Sequence, residues 1–147
     1  MLSLDSRYEE AEHRLAEAEH LFALAGTKTD LGLLRAEQAT VAANRGDAPA
    51  ALAYALETEN LINDRQNERS IAWRALAVAH AASGNTSEAE ANFKLALNEL
   101  TERRDWRDAS NVARELSTLL SALGRADEAY ELLQRAVLLA LRKPARS

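Results

Sequence analysis

The stretch Ala72-Trp73-Arg74-Ala75-Leu76-Ala77-Val78-Ala79-His80-Ala81-Ala82-Ser83-Gly84-Asn85-Thr86-Ser87-Glu88-Ala89-Glu90-Ala91-Asn92-Phe93-Lys94-Leu95-Ala96 reads as two helices joined through one glycine. Alanine, leucine and glutamate enter helices at little entropic cost, and Gly84 takes the left-handed dihedrals with which a helix commonly ends. On either side, small and large residues recur at helical spacing: Trp73 and Leu76 before the glycine, Ala89, Phe93 and Ala96 after it. Small residues let two antiparallel helices approach closely while the large ones fill the gap between them, so the segment is a helical hairpin.

Working outward, Gly46, Gly84 and Gly124 recur at nearly equal intervals. A period of that size predicts stacked supersecondary units, an all-α solenoid. Gly124 is followed at the same offsets by Ala129, Leu133 and Ala136, and preceded by Ala113 and Leu116. The unit around Gly46 keeps Ala51 but has Gln38, Ala55 and Thr58 at the other marked positions, so it is degenerate. Before it, Ala11, Leu15 and Ala18 repeat the second-helix pattern without a first helix, with Ser6 to Glu9 as a capping box. The pattern predicts about seven antiparallel helices over 6–25, 29–45, 48–63, 67–83, 86–101, 105–123 and 126–143. These form a half unit (1–26), three hairpin units (27–64, 65–102, 103–143) and a tail (144–147) in a single domain. Opening on half a unit, with no polar capping helix, reads as excision from a longer chain.

A chain of 147 residues, 47% hydrophobic and 28% charged, can bury a core without metal or disulfide staples. It has no cysteine, which removes disulfides and thiolate chemistry and fits a reducing compartment, so a cytoplasmic location is expected. No basic region followed by an apolar core opens the chain, and its longest apolar run, 136–141, is too short to span a bilayer. The net charge of −5 argues against nucleic acid as partner of this domain, since phosphate binding needs a basic face. The basic tail, Arg142-Lys143-Pro144-Ala145-Arg146, reads as a solvated end.

The segment from Trp73 and Leu76 through Ala77, His80, Gly84, Ala89, Phe93 and Ala96 resembles the tetratricopeptide repeat. His80 stands where that family has tyrosine and Ala77 where it has glycine. The closing proline is missing, with Thr101 and Leu141 in its place. The strings Ala89-Glu90-Ala91-Asn92-Phe93-Lys94 and Leu123-Gly124-Arg125-Ala126-Asp127-Glu128-Ala129 look like the repeat modules of actinobacterial helix-turn-helix transcription regulators. The resemblance implies a concave surface, lined by the first helix of each unit, that receives a protein or peptide. Carried over, the lining comprises Glu37, Thr40, Asn44, Arg74, Val78, Asn111, Arg114, Glu115, Thr118 and Ser121. The lysine and asparagine clamp of chaperone-binding members is absent, since Ala36, Ala75 and Thr40 occupy its positions.

Among residues able to carry chemistry, Glu10 with His13 and Glu17 with His20 are two Glu-x-x-His elements two helical turns apart. Both sit on one helix beside Glu9, Glu12 and Glu19, so a solvated acidic face is the expected reading and no metal is assigned. His80 reads as a hydrogen-bonded packing residue, Trp73 as core, and Trp106 as a staple at a helix start, with a cation–π surface among Arg103, Arg104 and Arg107 as its alternative. Asn85 reads as a helix cap with Glu88 three positions on. The glycines are accounted for by helix ends, and with no phosphate loop, nucleophile elbow or acid–base pair the chain is expected to be no enzyme and to need no cofactor.

Two features bear on partners. Arg74 and Arg114 lie one repeat apart in the same register, which predicts a positive strip for an acidic or amphipathic segment, unless Glu37 and Glu115 neutralise it as surface pairs. The last helix is apolar on all sides at Val137, Leu138, Leu139 and Leu141, which predicts a homodimer through this end. A sensor domain holding a small molecule or signalling peptide, and a purely self-assembling module, remain the alternatives to a binding scaffold.

Overall fold

The computed structural model describes residues 4–25, 27–62 and 68–142. They form seven helices: α1 (Leu4–Ala25), α2 (Lys28–Arg45), α3 (Ala48–Ile62), α4 (Arg69–Ala82), α5 (Thr86–Glu102), α6 (Trp106–Ala122) and α7 (Ala126–Ala140). Helices α2 with α3, α4 with α5, and α6 with α7 pack as consecutive hairpins, and each hairpin packs on the next through α3 with α4 and α5 with α6. The α2–α4 contact sets these two first helices side by side, and with the hairpins packed in succession the chain is an all-α helical-repeat arrangement of the solenoid kind.

The turns follow one chemistry. A residue in the left-handed region ends the helix, and the next N–H returns to a carbonyl one turn back, satisfying an otherwise orphaned acceptor. Asn85 N donates to His80 O at 2.8 Å, and Asp47, Asp105 and Arg125 make the same bond to Ala42, Leu100 and Leu120 at 2.9 Å. Gly84 holds φ +81° in its turn, but the α5–α6 turn puts Arg104 at φ +58°. Glycine spacing therefore misses a fourth turn of the same kind, midway between Gly84 and Gly124. A side chain at that φ is strained by about 1 kcal/mol. Arg104→Gly is expected to raise stability by about 0.5–1 kcal/mol, and Gly84→Ala to lower it by about as much or more. Nothing lies within 4 Å of a Cβ built on Gly84, so its cost is torsional alone. Urea titrations at unchanged slope check both.

The helix starts differ from expectation in two places. Helix α1 already runs from Leu4, so Ser6 lies inside it and does not open it. Asn85 stands at the start of α5, but its side chain lies 3.4 Å from His80 Nδ1 and makes no cap bond. The capping box belongs to α2, where Thr27 Oγ1 accepts from Asp30 N at 3.1 Å and Asp30 Oδ2 accepts from Thr27 N at 3.3 Å.

Close helix approach rests on a seam of small residues. Gly32, Ser70 and Ser110 share one repeat register, and Ala39, Ala77 and Ser117 share the register two turns on; all are buried. The second helices answer with Ala51, Ala89 and Ala129, then Thr58, Ala96 and Ala136, again all buried. In the last hairpin the seam is bonded: Ser110 Oγ donates to Ala136 O at 2.7 Å, and Ser117 Oγ to Ala129 O at 2.6 Å. Gly32 is no helix end, contrary to the expectation for the glycines; a Cβ there would stand 2.5 Å from Ile62 Cγ2.

The core divides in two. Across α2, α3 and α4 it is mostly alanine with Leu76, whereas across α4 to α7 it holds Phe93, Leu97, Leu100, Val112, Leu116, Leu120 and Leu139. No described side chain of α1 belongs to either cluster. Three side chains depart from expectation. Leu133, the counterpart of buried Phe93, is 46% exposed because no described helix follows α7 to cover it. Leu139, expected on the open face, is only 5% exposed, because it points back with Ala129 and Ala136 toward α6. Trp106 is the first residue of α6 and half-buried against the larger core. A cation reaches it from beyond the far end of α7, where Arg142 Cζ lies 4.6 Å from the ring centroid.

Candidate functional site

The side-by-side first helices leave a groove of about 560 Å³ over the amino-terminal parts of α4 and α6. Repeat register explains who lines it. Leu33, Ile71 and Asn111 occupy one position of successive units, and Ala36, Arg74 and Arg114 the position one turn on. A helix presents such i, i+3 pairs on one face, so the same two positions of each unit open into the groove. Leu33 is 41% exposed and Ile71 half-buried, giving an apolar floor, with Leu100 and Val112 behind it. Glu37, Asp108 and Glu115 complete the charged rim.

The rim is not a positive strip. Arg74 Nε donates to Glu115 Oε1 at 2.6 Å, so the carboxylate next to Arg114 in sequence reaches across from α6 and neutralises the α4 guanidinium. Burial works to lower the pKa of Arg74, but the bond to Glu115 and the charges of Glu115, Glu37 and Asp108 outweigh it and hold the group above its ordinary value. Desolvation, with the neighbouring Asp105 carboxylate, pushes Asp108 above the usual carboxylate range. Arg114 is exposed and has no ion-pair partner among the described residues.

Of the residues assigned to the concave surface, Glu37, Arg74, Asn111, Arg114 and Glu115 come together here. The other five lie outside the groove lining, farther along their helices. Thr40 and Thr118 turn their hydroxyls back onto Ala36 O and Arg114 O, at 3.2 and 3.0 Å, Val78 packs against the larger core, and Asn44 and Ser121 are exposed. Leu33, Ile71 and Asp108 were not among the expected residues; the first two stand in the register of Asn111, which is where the repeat carried their signal.

Elsewhere several polar groups pair with one another. His13 Nε2 lies 3.0 Å from Glu17 Oε1 with both side chains exposed, and the described residues hold no group of three or more acidic, His or Cys side chains arranged for a metal. His80 Nδ1 is 3.1 Å from Glu88 Oε2, tying the end of α4 to the start of α5. Glu90 accepts from Arg125 at 2.6 and 3.0 Å and from Lys94 at 2.8 Å. Chiefly through the Arg125 bond its carboxyl is held down at about 2. Among the described residues no helix is long and apolar enough to cross a membrane. Compared with known proteins, the chain matches no family model, and no curated protein and no solved structure matches it significantly.

Proposed function

We propose that this chain is a non-enzymatic, tetratricopeptide-type module that binds a protein or peptide in the groove across α2, α4 and α6. The observation that carries the reading is the pairing, in one groove, of an apolar floor at Leu33 and Ile71 with the unneutralised guanidinium of Arg114. Such a floor takes apolar side chains from one face of a segment, and a free guanidinium takes a carboxylate in bidentate fashion. Glu37 and Asp108 add negative charge beside it, so an amphipathic segment with a single acidic anchor suits the rim better than a uniformly acidic one. The proposed role extends to service in the cytoplasm, as the regulatory portion of a bacterial transcription regulator of the kind the repeat strings resemble.

Peptide display against the whole chain selects binding segments, and calorimetry with a selected peptide tests the groove. Leu33→Glu and Arg114→Glu are each expected to weaken binding at least tenfold, about 1.4 kcal/mol. Both side chains are exposed, so the melting temperature should hardly move. Affinity unaltered by both changes moves recognition off this groove.

A further inference from the structure

Helix α7 has two apolar faces. Ala129, Leu132, Ala136 and Leu139 turn toward α6 and the core. Tyr130, Leu133, Val137 and Leu141 follow at helical spacing on another face and are 63%, 46%, 48% and 75% exposed. The repeat says what this second face is. One unit earlier, Phe93 and Leu97 of α5 occupy the positions of Leu133 and Val137, and they are 4% and 3% exposed within the core that α5 shares with α6. The outer face of α7 is thus the seat of one more helix, unfilled among the described residues.

We propose that a second copy of this chain fills it, α7 against α7, antiparallel about a twofold axis. Arg125, just before α7, is held by Glu90 and Glu128, which leaves Asp127 and Glu131 as the unpaired charges of its first turns, with Arg135 farther along and Arg142, stacked on Trp106, just beyond its end. Antiparallel apposition sets each acidic end beside the partner's basic end, and parallel apposition sets like against like. The helix macrodipoles favour the same sense. The opposite end of the solenoid is a poor match for the stripe: beside Leu21, the exposed side of α1 carries Glu9, Glu10, His13, Arg14 and Glu17. Head-to-tail stacking would bury those charges against leucine, whereas the isologous contact buries leucine against leucine and closes at two copies.

Sedimentation equilibrium of the full chain from about 1 µM to 1 mM is expected to show monomer and dimer in a concentration-dependent balance. Leu133→Glu with Val137→Glu should raise the dimer dissociation constant at least tenfold, while Leu21→Glu, on the exposed side of α1, leaves it unchanged. The chain has no cysteine, so single introduced thiols report orientation cleanly. Gln134→Cys, near the middle of the stripe, should crosslink to itself; Asp127→Cys and Leu141→Cys should crosslink only when mixed. A monomer throughout the range, growth beyond a dimer, a dimer indifferent to the α7 substitutions, or self-crosslinking at both helix ends each overturns the proposal. The groove variants of α2 and α6 do not touch this face, so the peptide-binding reading stands or falls separately.

Discussion

Ser117→Leu is expected to destabilise the protein by about 3 kcal/mol, lowering the melting temperature by roughly 6–12 °C, while Ser117→Ala costs about 1 kcal/mol. The difference measures what the small-residue seam contributes. Ser117 is buried and its hydroxyl reaches the carbonyl of Ala129 at 2.6 Å, so the backbone of α7 lies one atom beyond the serine side chain. Alanine keeps that approach and gives up one hydrogen bond. Leucine needs room for two further shells of carbon where a backbone already stands, and it gains it only by separating α6 from α7 or leaving its rotamer. Either movement unpacks Leu116, Leu120 and Leu139, each at most 5% exposed in the same core. Thermal melts of the two variants decide it: equal losses would mean that the hairpin tolerates a wider spacing and that the serines act only as hydrogen-bond donors.

The same seam explains what the amino-acid sequence made legible. Small residues two turns apart on facing helices, punctuated by glycine, carry the hairpin in the pattern itself, and the helix ranges follow closely. The turn at Arg104 hides because a left-handed arginine has no compositional mark, although Ala109 follows it at the offset by which Ala89 and Ala129 follow their glycines. In α7, apolar residues all round leave its faces ambiguous until the seam is extended: Ala129 and Ala136 fix the inward direction, which takes Leu139 with it and leaves Leu133 outside. At the groove, repeat register places Arg74 and Arg114 on neighbouring helices, but which guanidinium meets Glu115 depends on how far α6 stands from α4. The period holds no information about that distance. The groove's apolar floor was present in the pattern, since Ile71 and Leu33 stand one and two repeats before Asn111; polar anchors are the more conspicuous signal and lie beside it.

Amide exchange in α1 is expected to run at least roughly a hundredfold faster than in α6, with the gap widening in about 1 M salt. Helix α6 contributes Val112, Leu116 and Leu120 to the larger core, all at most 2% exposed, so its amides exchange only through large-scale opening. Helix α1 places no described side chain in either core. Beside the partly buried Leu15 and Ala18, the contacts among the described residues that hold it are charged: Glu19 on Arg35 at 2.7 Å and on Gln38 Nε2 at 3.4 Å, and Glu12 on Arg45 at 2.5 Å, around an opening of about 280 Å³. The exposed Glu12–Arg45 pair is worth about 1 kcal/mol or less and weakens as salt screens it, while the Glu19–Arg35 pair, with its guanidinium partly buried, is screened less. Arg35 is the keystone, since it also reaches Glu57 at 2.5 Å and lies 6.0 Å from the Tyr54 ring, joining α1, α2 and α3. The Arg35 bond is likewise the main cause holding the Glu19 carboxyl below its ordinary range. In Arg35→Ala, exchange throughout α1 should therefore accelerate further while α6 and α7 keep their rates, because repeat units couple only to their neighbours. Hydrogen exchange read by mass spectrometry at two salt concentrations resolves the helices. Uniform protection across α1 and α6, unmoved by salt, would show that the half unit is docked by apolar contact after all and opens only with the whole molecule.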